Sequence, residues 1–198
     1  MEHREILDRL SLLDTPCLCD ADRSLRVMSR EIRLRSGARV MAGTARTVRV
    51  KDDFLGVIEA LGDSLPGEVL VVDGGGGGLA LAGELFASEA RRRGLAGLVV
   101  DGAVRDTGTI ADLDLPVYSR WITPMAGTKV RSGEDQIEIR CGGVTVKPGE
   151  IIFGDRDGIV VVSGEELESI IAKAEAIQAR EADILSRIRK GEDLTTMR

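Results

Sequence analysis

The chain has 198 residues, with 27 basic and 33 acidic side chains, a formal net charge of −6, and 43% apolar residues. This length predicts one domain, and the composition is typical of a globular protein. The acidic balance offers no attraction to polyanions. Aromatic residues make up 3% of the chain, too few for the base-stacking surfaces of proteins that bind single strands. We therefore predict no nucleic-acid partner.

The cysteine count and the lack of a membrane-spanning or signal-like pattern together indicate the cytoplasm. No apolar run approaches the ~20 residues that span a bilayer, and the N-terminal sequence MEHREILDRL is charged and amphipathic rather than signal-like. We predict a cytoplasmic protein with no membrane partner. Three cysteines, Cys17, Cys19 and Cys141, argue against a disulfide framework. The CxC pair has no third soft ligand nearby in sequence, so we favour buried strand thiols over a zinc site.

Hydrophobic periodicity and turn residues predict helices and strands that alternate along the chain. Pro16 is taken to open an extended piece, and Gly94 to follow the end of a helix. The predicted helices are within 1–14, at 53–62, at 79–93, a turn at 109–113, and at 165–191. The predicted extended segments are TPCLCDA (15–21), Arg39 to Val50, 68–73, 96–101, 115–119, and a β-rich region at 134–162.

Five consecutive glycines, Gly74–Gly78, follow a predicted strand. A phosphate-binding Walker loop requires GK[ST] at the start of the helix, which is absent, and a glycine run matches GxGxxG only trivially. We interpret the run as a chain reversal with positive φ angles near a ligand or another backbone.

Strands and helices alternate through the middle of the chain and end in a β-rich segment. This order predicts a single α/β domain over residues 1–198 with a mixed sheet rather than a purely doubly wound fold. The C-terminal helix at 165–191 is long for a domain of this size. We expect part of its apolar stripe to pack on a neighbouring subunit.

The only histidine is His3, which we interpret as a surface residue. One histidine excludes a multi-histidine metal site within a single chain, and it leaves a serine–histidine–aspartate triad dependent on a terminal residue. The chemistry is then left to carboxylates and arginines. Such groups suit hard cations such as Mg²⁺ or Mn²⁺, which need only one or two protein carboxylates.

One segment, 83–106, combines these groups. Its sequence GELFASEARRRGLAGLVVDGAVRD reads as a helix, a buried strand and a strand-end loop that carries Arg105 and Asp106. Ligands of open α/β sheets bind outside the carboxyl ends of strands. Asp106 is placed to hold a metal ion, and Arg105 to hold a carboxylate or enolate oxygen. The alternative is an Arg–Asp pair on the surface.

A family resemblance favours the functional interpretation. The segments GEV, VVDGG, GELFA, RGLAGLVVDGAVRD and LPVYSR resemble the regulator of ribonuclease activity A-like family, and more closely its 4-hydroxy-4-methyl-2-oxoglutarate aldolase branch. The similarity runs from about Thr15 to the C-terminal helix. It implies a swivelling β/β/α domain that assembles as a homotrimer or as a hexamer of two trimers, with sites between subunits.

The resemblance also implies roles for particular residues. Arg105 matches the substrate-binding arginine and Asp106 the metal-ligating aspartate. GELF at 83–86 (Gly83, Glu84, Leu85 and Phe86) matches the segment whose backbone amides hold the pyruvyl group. Glu84 replaces the usual aspartate and is one methylene longer. Glu181, in the last helix, corresponds by ungapped spacing to a catalytic glutamate supplied by a neighbouring subunit.

These matches imply a metal-dependent lyase that cleaves a 4-hydroxy-2-oxo acid to pyruvate and decarboxylates oxaloacetate. A lysine Schiff base through Lys51 or Lys147 is a rival within the same class. A rival from another class is a non-catalytic protein that binds and inhibits a ribonuclease. The known members of that kind lack the aspartate after the arginine, so Asp106 favours the enzyme branch.

Overall fold

The computed structural model describes residues 3–38, 40–164 and 167–197. The predicted strand start at Arg39 and helix start at Glu165 lie outside these residues, as does the side chain of His3. The helices are α1 (His3–Leu10), α2 (Thr15–Ala21), α3 (Leu55–Asp63), α4 (Glu84–Arg92), α5 (Thr107–Ala111) and α6 (Leu167–Arg189). The strands are β1 (Arg26–Val27), β2 (Arg33–Leu34), β3 (Met41–Arg49), β4 (Glu68–Asp73), β5 (Ala80–Ala82), β6 (Gly97–Val104), β7 (Val117–Ile122), β8 (Glu134–Asp135), β9 (Ile139–Cys141), β10 (Val144–Val146), β11 (Ile151–Gly154) and β12 (Ile159–Val162).

Ten of the described strands form one mixed sheet, which confirms the predicted α/β class. Its order is β1-β12-β11-β3-β4-β6-β7-β2, with β5 beside β6 and β8 beside β3. β3, β4, β6 and β7 run parallel, and β5 is parallel to β6. The remaining pairs are antiparallel, including the separate β9–β10 hairpin. The carboxyl ends of the central strands therefore share one edge of the sheet.

Both faces of the central sheet are covered, which explains the continuous apolar run of β4. Leu70 and Val72 face a cluster that includes residues of α3, α4 and α5. Val69 and Val71 face the opposite cluster, which includes residues of β9 and β10. A third cluster joins α1, α2 and α6 to β11 and β12. Within the described residues, no helix is long and apolar enough to cross a membrane.

The prediction that TPCLCDA is extended is wrong, because these residues form α2. Asp14 caps the helix by accepting a hydrogen bond from the Cys17 amide at 2.8 Å. Pro16 lies in the first turn, where a missing N–H costs no intrahelical bond. Cys17 and Cys19 are thus helix thiols rather than strand thiols, and Cys141 is a buried strand thiol on β9.

The predicted helix over 79–93 begins later than expected. Ala80–Ala82 forms β5, and α4 starts at Glu84 after Gly83. The predicted role of Gly94 is confirmed, since its φ is +75°. The amides of Gly94 and Leu95 donate to the carbonyls of Arg91 and Ala90, both at 3.0 Å, which is the Schellman pattern of helix ends.

Several other boundaries differ by a few residues. Gly62 lies inside α3 rather than after it, and the extended segment predicted from Arg39 to Val50 is strand β3, Met41–Arg49. In α6 the first apolar residues of the stripe are buried, whereas Leu185 is 52% and Ile188 38% exposed. Apolar side chains in the last turns of α6 are therefore exposed on this chain. Its contact with a neighbouring subunit stays a prediction.

The glycine run forms a loop after β4, as predicted. Gly75 and Gly76 have φ values of +61° and +71°, which side-chain-bearing residues rarely adopt. The amides of Gly74 and Gly76 both donate to the Asp101 carbonyl, at 3.1 and 3.0 Å. The loop is thereby fastened to the middle of β6.

Asp53 fastens a second loop, residues 128–131, to the start of α3. Its Oδ2 accepts hydrogen bonds from the Thr128 hydroxyl at 2.6 Å and the Val130 and Arg131 amides at 2.8 and 3.1 Å, and its Oδ1 accepts one from the Leu55 amide at 2.9 Å. Burial opposes ionisation, but these four hydrogen bonds lower the pKa of Asp53 to about 2.

We expect Asp53→Asn to lower the free energy of unfolding at neutral pH. The ordinary pKa of an aspartate is 3.8, so the ionised carboxylate stabilises the fold above that pH. This stabilisation is lost as the pH falls through 3.8 towards about 2. Urea denaturation across this range should show the difference between native protein and variant shrinking as the pH falls.

The matched control is Asp52→Asn. Asp52 is the exposed neighbour, and its φ of 53° is one that asparagine tolerates. The stabilising role of ionised Asp53 would be contradicted by a loss of unfolding free energy in Asp53→Asn that did not change with pH. An equal loss in Asp52→Asn would contradict it as well.

Candidate functional site

The carboxyl end of β6 brings the two residues of the predicted site beside the start of α4. The Arg105 amide donates to the Ala82 carbonyl at 3.1 Å, so the ends of β5 and β6 are aligned. Gly83 and Glu84, which follow β5, then lie against Arg105 and Asp106, which follow β6. The structure therefore unites residues more than twenty positions apart in sequence.

Asp106 adopts a left-handed conformation with φ 57° and ψ 34°. Its Oδ2 accepts a hydrogen bond from the Glu84 amide at 3.2 Å and lies 3.5 Å from Arg105 Nε. The side chains of Arg105 and Asp106 are 43% and 41% exposed. An ion pair this exposed holds its partners weakly. Both charged groups consequently remain available to a ligand.

Gly83 provides the space for this arrangement. A Cβ at this position would lie 2.5 Å from Asp106 Oδ2 and 3.0 Å from Arg105 Cγ. Both distances are shorter than the van der Waals contact of a Cβ. The glycine is therefore required by the close approach of the two strand-end side chains and not by its φ of −162°, which any residue adopts.

The start of α4 offers backbone donors. The first intrahelical bond runs from the Ala87 amide to the Gly83 carbonyl at 3.1 Å, so helix geometry leaves the amides of Leu85 and Phe86 without an intrahelical acceptor. Such amides, together with the helix dipole, attract anions. The side chain of Leu85 is 76% exposed. The GELF segment therefore has amides at the helix start that could bind a carboxylate, and their role in binding a substrate stays a prediction.

A cleft of about 470 Å³ extends from this point between α3 and α4. It shares Arg105, Leu85 and Phe86 with the predicted site. The rings of Phe54 and Phe86 meet edge to face, with centroids 5.8 Å apart and planes at 84°. The full lining is Phe54, Ile58, Leu61, Gly62, Leu85, Phe86, Glu89, Arg93, Arg105 and Lys129.

The donor set suits only one kind of metal site. Among the described residues no group of three or more His, Cys, Asp or Glu side chains is placed to hold a metal ion, which argues against zinc. Asp106 is a half-exposed carboxylate with Glu84 close by. Mg²⁺ and Mn²⁺ retain several waters and accept one or two protein carboxylates. The residues fit a hydrated hard cation on Asp106.

Glu181 lies elsewhere in the same chain. Its Oε2 is 3.7 Å from the Cys17 Sγ, which donates to it, and its helix, α6, packs on α2. No described hydrogen bond or ion pair joins Glu181 to Arg105 or Asp106. A catalytic role for Glu181 would therefore require it to come from another subunit.

Sequence reasoning missed the residues that shape the surroundings. Lys129 and Phe54 line the cleft but belong to segments with no recognisable motif. Asp101, at the centre of β6, receives the Arg120 Nε at 2.5 Å and the Gly142 amide at 2.6 Å. Its carboxylate is thereby occupied in holding β7 and the turn between β9 and β10. In the sequence, Asp101 is a single acid within an apolar strand, and nothing in that pattern indicates that it binds Arg120 and Gly142.

The fold and site define an α/β protein with an Arg–Asp pair at a strand end, facing a helix start. The chain belongs to the RraA-like family, whose model, described as Aldolase/RraA, matches residues 15–161. A protein of Halalkalibacterium halodurans named as a candidate 4-hydroxy-4-methyl-2-oxoglutarate aldolase is 34% identical over 177 residues, covering 88% of this chain and 84% of that protein.

Solved structures agree with this membership. The RNA-processing inhibitor RraA from Thermus is 34% identical with a TM-score of 0.70, covering 75% of this chain and 91% of its own. RraAS2 of Streptomyces coelicolor, described as an unusual member of the RNase ES inhibitor RraA family, is 25% identical with a TM-score of 0.78, covering 93% and 98%. The predicted family is confirmed.

Proposed function

We propose that this protein is a divalent-metal-dependent carbon–carbon lyase that cleaves 4-hydroxy-4-methyl-2-oxoglutarate or a related 4-hydroxy-2-oxo acid to pyruvate, and that it decarboxylates oxaloacetate. The observation that carries the proposal is the contact of Asp106 with the Glu84 amide, beside Arg105 and over Gly83. This contact joins an anion-binding helix start to a carboxylate and a cation.

The GELF amides and Arg105 bind the substrate. The amides of Leu85 and Phe86 hold the substrate carboxylate at the positive end of α4. The Arg105 guanidinium, a fixed fork of donors, holds the 2-oxo oxygen or the adjacent carboxylate. As the C3–C4 bond breaks, its electron pair becomes the pyruvate enolate, and Arg105 stabilises the negative charge on that oxygen.

Asp106 holds the metal ion in this proposal. Bound there, Mg²⁺ or Mn²⁺ would supply Lewis-acid stabilisation of charge on the 2-oxo group. A base must take the proton of the 4-hydroxyl group so that the carbonyl fragment can leave. Glu84, which is half-buried next to Asp106, is placed to steer a water for this step. Glu181 of a neighbouring subunit is the other candidate.

Metal removal tests the proposal. Purified protein with Mg²⁺ or Mn²⁺ is expected to release pyruvate from oxaloacetate and from 4-hydroxy-4-methyl-2-oxoglutarate. Chelation by EDTA should abolish the activity, and added Mg²⁺ or Mn²⁺ should restore it. Full activity after thorough chelation would reject the metal route, and borohydride trapping of pyruvate on Lys51 or Lys147 would then support a Schiff base.

Arg105→Lys tests the role of the guanidinium. Lysine keeps the charge but loses the two-pronged geometry, so we expect kcat/KM for oxaloacetate to fall about 10- to 100-fold, as for loss of an oriented charged donor. The control is Arg91→Lys, an exposed arginine in the last turn of α4. Equal activity of the two variants would remove Arg105 from the site.

A second candidate function is regulation of a ribonuclease without catalysis. It is favoured by the similarity to the RNA-processing inhibitor RraA from Thermus and to RraAS2, of the RNase ES inhibitor family. This candidate predicts binding to a ribonuclease together with no metal-dependent turnover. A homotrimeric or hexameric assembly, which would bring Glu181 to a neighbour's site, is part of the lyase proposal and is measured by sedimentation.

A further inference from the structure

We infer that the cleft between α3 and α4 selects the substrate by binding an apolar group on C4 of a 4-hydroxy-2-oxo acid, with Lys129 receiving a carboxylate at the far end of that group. The inference rests on the proposed function, because it takes Arg105 and Asp106 as the place where the 2-oxo acid end is held.

The cleft is continuous with that place. Arg105, Leu85 and Phe86 line it and also belong to the predicted site. A 2-oxo acid held by the Leu85 and Phe86 amides therefore has its remaining carbons at the mouth of the cleft. A volume of about 470 Å³ lies within the range of small-molecule sites and exceeds what a pyruvyl group fills.

The floor of the cleft is apolar and rigid. Leu61 is 5% exposed and fixed in the core of α3. Phe54 and Phe86 support each other through their edge-to-face contact, a geometry that aromatic pairs favour. Ile58 completes the wall at 36% exposure. An alkyl or aryl substituent would bury these surfaces and its own area from water.

The charges of the cleft favour an anion at its end. Glu89 is fully engaged, since hydrogen bonds from Arg92 and Arg93 lower its pKa to about 2 and Arg93 Nε lies 2.8 Å from its Oε1. Lys129 is exposed, and no hydrogen bond or ion pair is described for its amino group. Its backbone is fixed on both sides, because Thr128 and Val130 donate to Asp53.

The reaction balances with the substituent in the cleft. The C3–C4 bond breaks and its electron pair becomes the pyruvate enolate, which takes a proton at C3. The 4-hydroxyl group loses its proton to the base and becomes the carbonyl of the departing fragment. That fragment, an aldehyde or ketone bearing the C4 substituent, leaves through the cleft while pyruvate remains at Arg105.

The test compares substrates that differ only at C4. For 4-hydroxy-2-oxo acids with hydrogen, methyl, propyl and phenyl at C4, kcat/KM is expected to rise about fourfold per buried methylene, the rate equivalent of one methylene transferred from water. Ile58→Glu should abolish this rise, because it places a charge on the apolar wall of the cleft. Leu65→Glu, at an exposed leucine outside the cleft, is the matched control.

Lys129→Ala tests the far end. For substrates with a distal carboxylate, kcat/KM should fall about tenfold, the value of a charge-assisted hydrogen bond, while the uncharged analogue of equal length is unaffected. Lys190→Ala, at an exposed lysine after α6, serves as control. Equal losses for charged and uncharged substrates would overturn the role of Lys129.

A binding measurement separates this inference from the proposed function. Calorimetric titration of Mg²⁺-loaded protein with 2-oxobutanoate, 2-oxohexanoate and 2-oxooctanoate should show affinity that rises with chain length and is flattened by Ile58→Glu. If no pyruvate is released but affinity rises with chain length, the lyase proposal fails while the cleft is still shown to bind an apolar group. If oxaloacetate is turned over but affinity does not depend on chain length, only the inference about the cleft is overturned. The same holds if Ile58→Glu changes only the oligomeric state measured by sedimentation.

Discussion

Asp106→Asn is expected to lower kcat/KM for pyruvate release from oxaloacetate by about 10²- to 10³-fold, the loss associated with removing one charged group from a preorganised site. Asparagine has the same shape and still accepts the Glu84 amide through its side-chain oxygen. It also tolerates the left-handed φ of 57° better than most residues. The fold should therefore survive while the charge proposed to hold the cation is lost.

Steady-state kinetics with saturating Mg²⁺ or Mn²⁺ measures this effect, and thermal denaturation checks the fold. Asp112→Asn is the matched control, because Asp112 is an exposed acid at the other end of α5. It should keep the activity of the native protein. Wild-type activity in Asp106→Asn would remove Asp106 from the site and would weaken the lyase proposal as a whole.

Gly83→Ala is expected to lower kcat/KM for oxaloacetate by about 10- to 100-fold, since a displacement of about 1 Å in a catalytic group can cost that much. The added methyl group would lie 2.5 Å from Asp106 Oδ2 and 3.0 Å from Arg105 Cγ. Both atoms belong to half-exposed side chains that can move aside. The variant should therefore fold while its two charged groups are displaced.

Gly108→Ala provides the control for this substitution. A Cβ at Gly108 meets no atom within 4 Å, and the residue lies in α5, immediately beyond the site. Combining Gly83→Ala with Asp106→Asn tests the cause further. If the alanine acts by moving Asp106, it should cost little more in the Asp106→Asn background, whereas fully additive losses would place its effect elsewhere.

The sequence predicted the position of the two charged residues at the strand end better than it predicted their surroundings. Arg105 and Asp106 were placed correctly because a buried strand of apolar residues, followed by charged ones, leaves the charges at the strand end. Their contact with Glu84 depends on the parallel pairing of β5 and β6. Ala80–Ala82 was predicted as helix, since alanine favours helix and only the tertiary pairing makes this segment a strand.

The error at α2 had a different origin. Asp14 followed by Pro16 carries the two signals of a helix start, a capping acid and a proline in the first turn. A proline is also typical of extended segments, which is the interpretation that fails here. Lys129 could not have been predicted for the cleft. Its position depends on the hydrogen bonds of Asp53 to loop 128–131, and nothing in the sequence around either residue indicates that they meet.

The left-handed backbone at Asp106 has a consequence for how this protein can evolve. Most substitutions at this position carry a conformational penalty in addition to any chemical one, because only glycine, asparagine and aspartate adopt such φ values readily. Substitution of Asp106 by asparagine or glycine would thus remove the carboxylate with little effect on folding. Under the proposed function, one substitution at this residue would end the lyase chemistry and leave a stable protein whose surface is free to acquire a binding partner.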